Sequence, residues 1–316
     1  MEYGQVPGID RPISRLVQGT VMLGRDRASD FRLLDSVYAA GGTAFDTARH
    51  YGDAIEETLG RWARERGVRD RIVVVGKGAH HEDGAKRVTP REITADLERS
   101  LRRLGFDHLD LYLLHRDDPS QPVGPIVETL HGHRRNGKIR AYGGSNWTTA
   151  RLAEANAYAA AHGLTPFAAS SPNFSLAVPR EPPWEDCVSL SGPAGAAARD
   201  WYARNHMPVF AWSSLANAFF SGRVTRENCA DAGGPFGEIL QRCYCTEENL
   251  ARLDRARQLA AERGLTVPQV ALAYVLAQPL NLFALVGCET GDEFRAAAAA
   301  CDVHLTPDEV AWLEGA

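Results

Sequence analysis

Short apolar runs alternate with longer stretches in which apolar residues return every three or four positions, and the alternation repeats along the chain. Runs at 16–20, 44–46, 72–77, 109–115, 139–145, 167–171, 208–212 and 282–286 predict strands. Several lack a polar face, as strands buried on both sides of a parallel sheet must. Helical periodicity predicts amphipathic helices over 31–40, 55–66, 91–104, 123–136, 150–162 and 249–263. Boundary residues agree: Thr89-Pro90-Arg91-Glu92 reads as an N-cap, a first-turn proline and an acidic first turn. Gly41, Gly67, Gly105, Gly137, Gly163 and Gly264 each follow a predicted helix end. The opening segment 3–14, with its Pro7-Gly8 turn signal, predicts a hairpin that closes the bottom of the fold.

Eight strands with interleaved helices fit one (β/α)8 TIM-barrel domain spanning 1–316, a fold that takes ~250 residues before insertions. An open doubly wound sheet shows the same alternation. It would, however, hold a nucleotide on a Gly-x-Gly-x-x-Gly turn after the first strand, and that turn is absent. Segments 78–87, 179–187 and 213–246 exceed plain connections and are expected to cover a site. The last contains Asn217, Gly222, Gly233, Gly234 and Pro235.

Charge and composition narrow the function classes. A formal net charge of −5 argues against a nucleic-acid partner, which needs a clustered basic surface. No apolar run approaches the ~20 residues of a membrane span, and the N-terminus lacks the basic-then-apolar order of an export signal. A cytoplasmic location without a membrane partner is therefore expected, with Cys187, Cys229, Cys243, Cys245, Cys288 and Cys301 as reduced thiols. Cys243-Tyr244-Cys245 has no second ligand pair at zinc spacing, and His80-His81-Glu82-Asp83 reads as a solvated loop, so no metal is expected.

Polar residues end the predicted strands: Asp46 the second, Lys77 the third, His115 the fourth, Ser145-Asn146 the fifth. In a parallel barrel these ends share one face. Tyr51 follows Asp46 on the loop into the next helix. Taken singly, each has an ordinary explanation: a solvated lysine, a packing tyrosine, a capping histidine, an aspartate that begins a turn. Together they form an acid–base unit. Hydride delivery to a carbonyl carbon builds charge on its oxygen, which needs a proton donor. A phenol serves if an ammonium stabilises its anion and a carboxylate fixes that ammonium, while an imidazole orients the carbonyl.

Four segments carry a resemblance: Gly42-Thr43-Ala44-Phe45-Asp46-Thr47-Ala48-Arg49-His50-Tyr51-Gly52; Val75-Gly76-Lys77; Asp110-Leu111-Tyr112-Leu113-Leu114-His115; and Gly137-Lys138-Ile139-Arg140-Ala141-Tyr142-Gly143-Gly144-Ser145-Asn146. In combination and spacing they resemble the aldo-keto reductases, nearly end to end from Gly19-Thr20 to Val286-Gly287. The resemblance implies an NAD(P)(H)-dependent oxidoreductase that reduces an aldehyde or ketone, or oxidises the corresponding alcohol or sugar. It implies Tyr51 as general acid/base, Lys77 lowering its pKa, Asp46 pairing with Lys77, and His115 orienting substrate or relaying the proton. It further implies an extended cofactor at the barrel mouth. Ser145 and Asn146 would hold the carboxamide and Trp212 would stack on the nicotinamide. Gly19, Thr20 and Met22 would line the ribose, with Asp46 close by. Ser213, Leu215 and Arg223 would cover the pyrophosphate.

Three departures matter. Ser171 stands where members usually carry a carboxamide-contacting glutamine. At the adenosine end the chain reads Gly287-Cys288-Glu289-Thr290-Gly291-Asp292-Glu293-Phe294-Arg295. Glu293 there occupies the place of an arginine, and Ala296-Ala297 replace Glu-Asn. A carboxylate repels a 2′-phosphate but accepts bonds from a free 2′-hydroxyl, which tips the expectation to NAD(H) over the family's usual NADP(H), unless Arg295 rescues phosphate binding. The three long loops match no nameable substrate class; Met22, His50, Trp147 and Trp184 are expected as pocket walls suited equally to a sugar or a small aldehyde. The competing readings are a non-catalytic nicotinamide-binding regulatory subunit, a redox-neutral epimerase or lyase with tightly held cofactor, and an unrelated barrel lyase or isomerase. The intact set Asp46, Tyr51, Lys77 and His115 disfavours the first. Ser145-Asn146 and Trp212 are unexplained by the last.

Overall fold

The computed structural model describes residues 1–24, 26–234 and 236–315. Pro235, counted above in the third long loop, lies outside them. Strands β1 (Tyr3–Gly4) and β2 (Ile13–Ser14) pair antiparallel, Tyr3 opposite Ser14. Eight further strands follow: β3 (Leu16–Gly19), β4 (Ala44–Asp46), β5 (Val73–Gly78), β6 (Leu109–Leu114), β7 (Ile139–Ser145), β8 (Ala169–Ser171), β9 (Val209–Ala211) and β10 (Leu282–Val286). They close into a parallel barrel in chain order, β10 pairing with both β9 and β3. Each expected strand is present within two residues at either end.

Side chains alternate across each strand, so one set fills the barrel and the other meets the helices. Val73 and Val75 of β5 and Leu111 and Leu113 of β6 join an inner cluster with Val17, Ala44, Phe210 and Phe283. Their neighbours Val74, Tyr112 and Leu114 belong to the outer cluster beneath the helices. Both faces are dry, which is why the sequence shows no polar stripe there. Val6, Ile9 and Ile13 of the opening hairpin join the inner cluster and close that end, as expected.

Helices α1 (Arg27–Ala39), α2 (Asp53–Glu65), α3 (Pro90–Leu104), α4 (Val123–Arg135), α5 (Thr149–Ala161) and α6 (Ala196–Asn205) lie outside the barrel. After them come the one-turn α7 (Gly237–Ile239), then α8 (Glu247–Arg263), α9 (Val267–Leu276), α10 (Gly291–Ala298) and α11 (Pro307–Glu314). The Thr89 hydroxyl caps α3, and Gly105 ends it at φ 64°, a left-handed conformation that glycine adopts without steric cost. The pattern reading omits α6, α9, α10 and α11. Helix α9 is apolar all round because Val270–Val275 are entirely buried, so no amphipathic period exists to detect. Helices α10 and α11 are only eight residues each.

One expectation is corrected. The third long loop folds back so that Cys229 and Cys245, 16 residues apart, form a disulfide, with Cα atoms 5.9 Å apart. Cys187, Cys243, Cys288 and Cys301 are free. Among the described residues no helix is long and apolar enough to cross a membrane, and no group of three or more His, Cys, Asp or Glu is placed to hold a metal ion.

Candidate active site

The alternation that packs the barrel also builds its polar mouth. Ala44 points inward on β4, so Asp46 does too; Val73 and Val75 set the same parity for Lys77, and Leu111 and Leu113 set it for His115. The register holds Asp46 opposite Val75 and Lys77 opposite Leu113. Three ionisable side chains thus form the top layer of an otherwise apolar stack. A single helical turn, Arg49–Tyr51, follows β4 and swings the Tyr51 ring over this layer.

The contacts are close. The Lys77 ammonium donates to Asp46 Oδ2, to the Thr47 carbonyl at 3.3 Å and to the Tyr51 hydroxyl at 3.4 Å. The Tyr51 hydroxyl donates to Asp46 Oδ1 at 3.4 Å. Lys77 and Asp46 are each 2% exposed. Burial works against the Lys77 ammonium, but Asp46 and Tyr51 together hold its pKa above the ordinary value. Burial pushes the Tyr51 phenol up while Lys77 pulls it down, the net being upward. His115, 5.9 Å from the Tyr51 ring centre to centre, is driven well below its ordinary value by burial first and Lys77 second. At neutral pH the layer therefore holds an ammonium, a protonated phenol and a neutral imidazole.

A cavity of about 1490 Å³ opens above it. Of the residues expected there, Asp46, His50, Tyr51, Lys77, His115, Ser145 and Asn146 line its centre, and Gly19, Met22, Trp184 and Trp212 its sides. Ser213, Leu215, Arg223, Gly287 and Glu293 continue along one arm. Thr20 and Ser171 do not line it. The Ser171 hydroxyl donates to the Phe210 carbonyl at 2.7 Å, so its proton is already used within the barrel wall. Trp147 is no pocket wall: its indole is fully buried against Phe167, donates to the Arg116 carbonyl at 3.2 Å, and lies where a Cβ on Gly144 would come within 2.6 Å of it.

Among the lining residues that the sequence reading leaves out of the site are His80 and Arg116. The sequence places His80 in a solvated loop, but its ring stacks on His50 at 3.7 Å and stands edge-on to His115 at 4.8 Å. Arg116 lies at the cavity wall, 6% exposed. Asn217 joins from the third long loop. The loops are cross-braced: Lys86 pairs with Asp186 at 3.1 Å, and Arg226 with both Glu247 and Asp254. Only the adjacency of His115 and Arg116 hinted at a second cation.

The arm of the cavity suits a dinucleotide. Ser213, Ala216, Asn217 and Ala218 all have φ between 51° and 70°, left-handed values that cost a non-glycine residue roughly 1 kcal/mol each and that cluster at ligand-holding segments. Buried polar atoms without a partner face the same region: Trp212 Nε1 and Asn217 Oδ1. The Ser145 hydroxyl is committed to the Ser171 carbonyl at 2.8 Å, and the Asn146 amide group to the His115 carbonyl at 3.4 Å. At the far end Glu293 Oε2 accepts from the Glu289 backbone N–H at 2.8 Å, and Arg295 is tied to Asp292.

Known proteins are similar throughout. The uncharacterized oxidoreductase YrpG of Bacillus subtilis (strain 168) is 28% identical over 99% of this chain and 95% of its own length. The norsolorinic acid reductase stcV of Emericella nidulans is 28% identical over 90% of this chain and 70% of its own. An aldo-keto reductase from Klebsiella pneumoniae, solved in complex with NADPH, superposes with a TM-score of 0.71 at 26% identity, covering 96% of this chain and 90% of that one. The family model described as the aldo/keto reductase family matches residues 15–316. The chain belongs to the aldo/keto reductase family and is a nicotinamide-dependent oxidoreductase.

Proposed function

We propose that the protein interconverts a carbonyl compound and its alcohol with Tyr51 as the general acid/base. One observation carries the reading. The Tyr51 hydroxyl sits 3.4 Å from both the Lys77 ammonium and the Asp46 carboxylate, at the floor of a cavity large enough for a dinucleotide and a small substrate. The bound nicotinamide supplies or accepts the hydride. In reduction Tyr51 donates its proton to the carbonyl oxygen as negative charge grows there, and Lys77 stabilises the phenolate left behind. Asp46 keeps Lys77 charged and aimed. His115, neutral, is a hydrogen-bond partner for the same oxygen and repels no cation. In oxidation the same groups run in reverse.

For the cofactor, Gly19, Met22, Ser145, Asn146, Trp212, Ser213, Leu215, Arg223 and Gly287 are the proposed contacts, with Trp212 against the nicotinamide and the left-handed stretch against the pyrophosphate. The adenosine end supports NAD(H) over NADP(H). Glu289 and Glu293 line the cavity with carboxylates that would repel a 2′-phosphate, and the Arg295 guanidinium is engaged by Asp292. Met22, His50 and Trp184 are the proposed substrate walls.

Fluorescence titration with NADH and NADPH, followed by an aldehyde, ketone and sugar panel, tests the reading. Tyr51→Phe is expected to bind cofactor as the parent does and to lose turnover by at least about 100-fold, the usual worth of a positioned acid. A Tyr51→Phe enzyme that still turns over removes Tyr51 as proton donor.

A further inference from the structure

Arg116 follows His115 directly, and hydride and proton transfer leave its cavity-lining guanidinium unused. It is 6% exposed, yet among the described residues it makes a single hydrogen bond, from Nη1 to the His115 carbonyl at 3.1 Å, and no described carboxylate lies within ion-pair distance. The obvious acids are committed elsewhere. Asp117 accepts from Arg151 at 3.2 Å, Asp118 from the Ser120 hydroxyl at 2.7 Å, and Asp186 pairs with Lys86 on the rim. Glu185 lines the mouth of the cavity without reaching the guanidinium. A buried cation with no anion is costly unless a ligand supplies one, and guanidinium presents a planar fork that matches a carboxylate bidentately.

We infer that Arg116 is a substrate clamp: the carbonyl compound that reacts at Tyr51 carries a carboxylate, which the Arg116 guanidinium holds beside the His50–His80 stack. This rests on the carbonyl–alcohol reading above and names the substrate class for it. The charge count selects a carboxylate over a phosphate. His50, His80 and His115 all surround the same space, and burial keeps them below their ordinary values, His80 at about 4. With the Lys77 ammonium neutralised by Asp46, the wall beside these rings offers the Arg116 guanidinium as its unpaired positive charge at neutral pH, which balances a monoanion and leaves a dianion half uncompensated.

The test uses the holoenzyme and paired substrates: para-carboxybenzaldehyde against its methyl ester, succinic semialdehyde against its methyl ester, and glyceraldehyde phosphate against glyceraldehyde. The parent enzyme is expected to prefer each carboxylate in kcat/KM, chiefly through KM. In Arg116→Met the acid-to-ester ratio is expected to fall about 10- to 100-fold, the worth of a charge-assisted pair, and Arg116→Lys to keep part of it. Taking the ratio within each variant separates the clamp from general damage, and melting temperature and cofactor affinity report folding. A ratio unchanged in Arg116→Met, a parent that prefers the esters, or a preference for the phosphate over both carboxylates would each overturn the inference. Benzoate binding to the cofactor-loaded protein, followed by tryptophan fluorescence from Trp184 and Trp212, gives a reading without turnover. If the parent reduces nothing but binds benzoate through Arg116, the reaction assignment fails and the clamp stands. If Arg116→Met binds benzoate as well as the parent does, the clamp fails.

Discussion

Replacing Lys77 by methionine removes the one cation touching the proposed proton donor and leaves the side-chain volume nearly unchanged. The ammonium lies 3.4 Å from the Tyr51 hydroxyl. At an effective dielectric of ~20, the attraction between a full phenolate and an ammonium at that separation is about 5 kcal/mol. A transition state with the proton half transferred loses about half of this, and complete transfer loses it all. The reduction rate of Lys77→Met is therefore expected to fall by roughly two to three and a half orders of magnitude. The same substitution strands the Asp46 carboxylate, whose other side-chain partner is the Tyr51 hydroxyl at 3.4 Å, and breaking a buried pair from one side costs about 3–5 kcal/mol of stability. These two losses separate in the double variant Lys77→Met/Asp46→Asn. With no buried carboxylate left to compensate, stability should largely return, while turnover should not. Steady-state oxidation of the reduced nicotinamide reports activity, fluorescence titration confirms that cofactor still binds, and thermal melts report stability. A Lys77→Met enzyme within a few-fold of the parent, or a double variant that regains activity along with its stability, refutes the role given to this ammonium.

Two further outcomes are expected. Glu293→Arg should raise the NADPH-to-NADH preference by about tenfold or more, because it exchanges a repulsive carboxylate for a phosphate partner at an exposed site; an unmoved ratio in a two-cofactor titration would place the 2′-position elsewhere. Stability should fall on acidification. The pKa values of His50, His80 and His115 are all depressed in the folded protein, burial being the first cause in each. Below the ordinary value of 6.5 the unfolded chain therefore takes up protons that the folded one refuses. The stabilisation from His80 is complete above pH 6.5 and declines as pH falls toward its folded value of about 4. The slope is at most about 1.4 kcal/mol per pH unit for each histidine. His50→Asn/His80→Asn should flatten it in melts across that window, and an equal slope in the variant would show that these rings do not carry it.

Much of the site was legible because the features that encode it are local. Strand alternation is a backbone property, so once β4, β5 and β6 are located, the parity of Ala44, Val75 and Leu113 dictates that Asp46, Lys77 and His115 face inward together at one end. Helix boundaries were readable for the same reason: Thr89 and Gly105 act on backbone groups within four residues of themselves. What escaped depends on partners distant in sequence. Trp147 adjoins a signature segment, but Gly144 and Phe167 draw its ring into the core. The Ser171 hydroxyl is claimed by Phe210, 39 residues on. Cys229 and Cys245 meet only because the third long loop folds back on itself. His80 becomes a cavity wall because His50, on another loop, offers a ring to stack against. Sequence by itself determined the barrel and the identity of its polar end layer, since both follow from periodicities of the chain. Which neighbouring side chains turn into the cavity and which are consumed by packing was decided only in three dimensions, because that choice is a competition between contacts that no local pattern records.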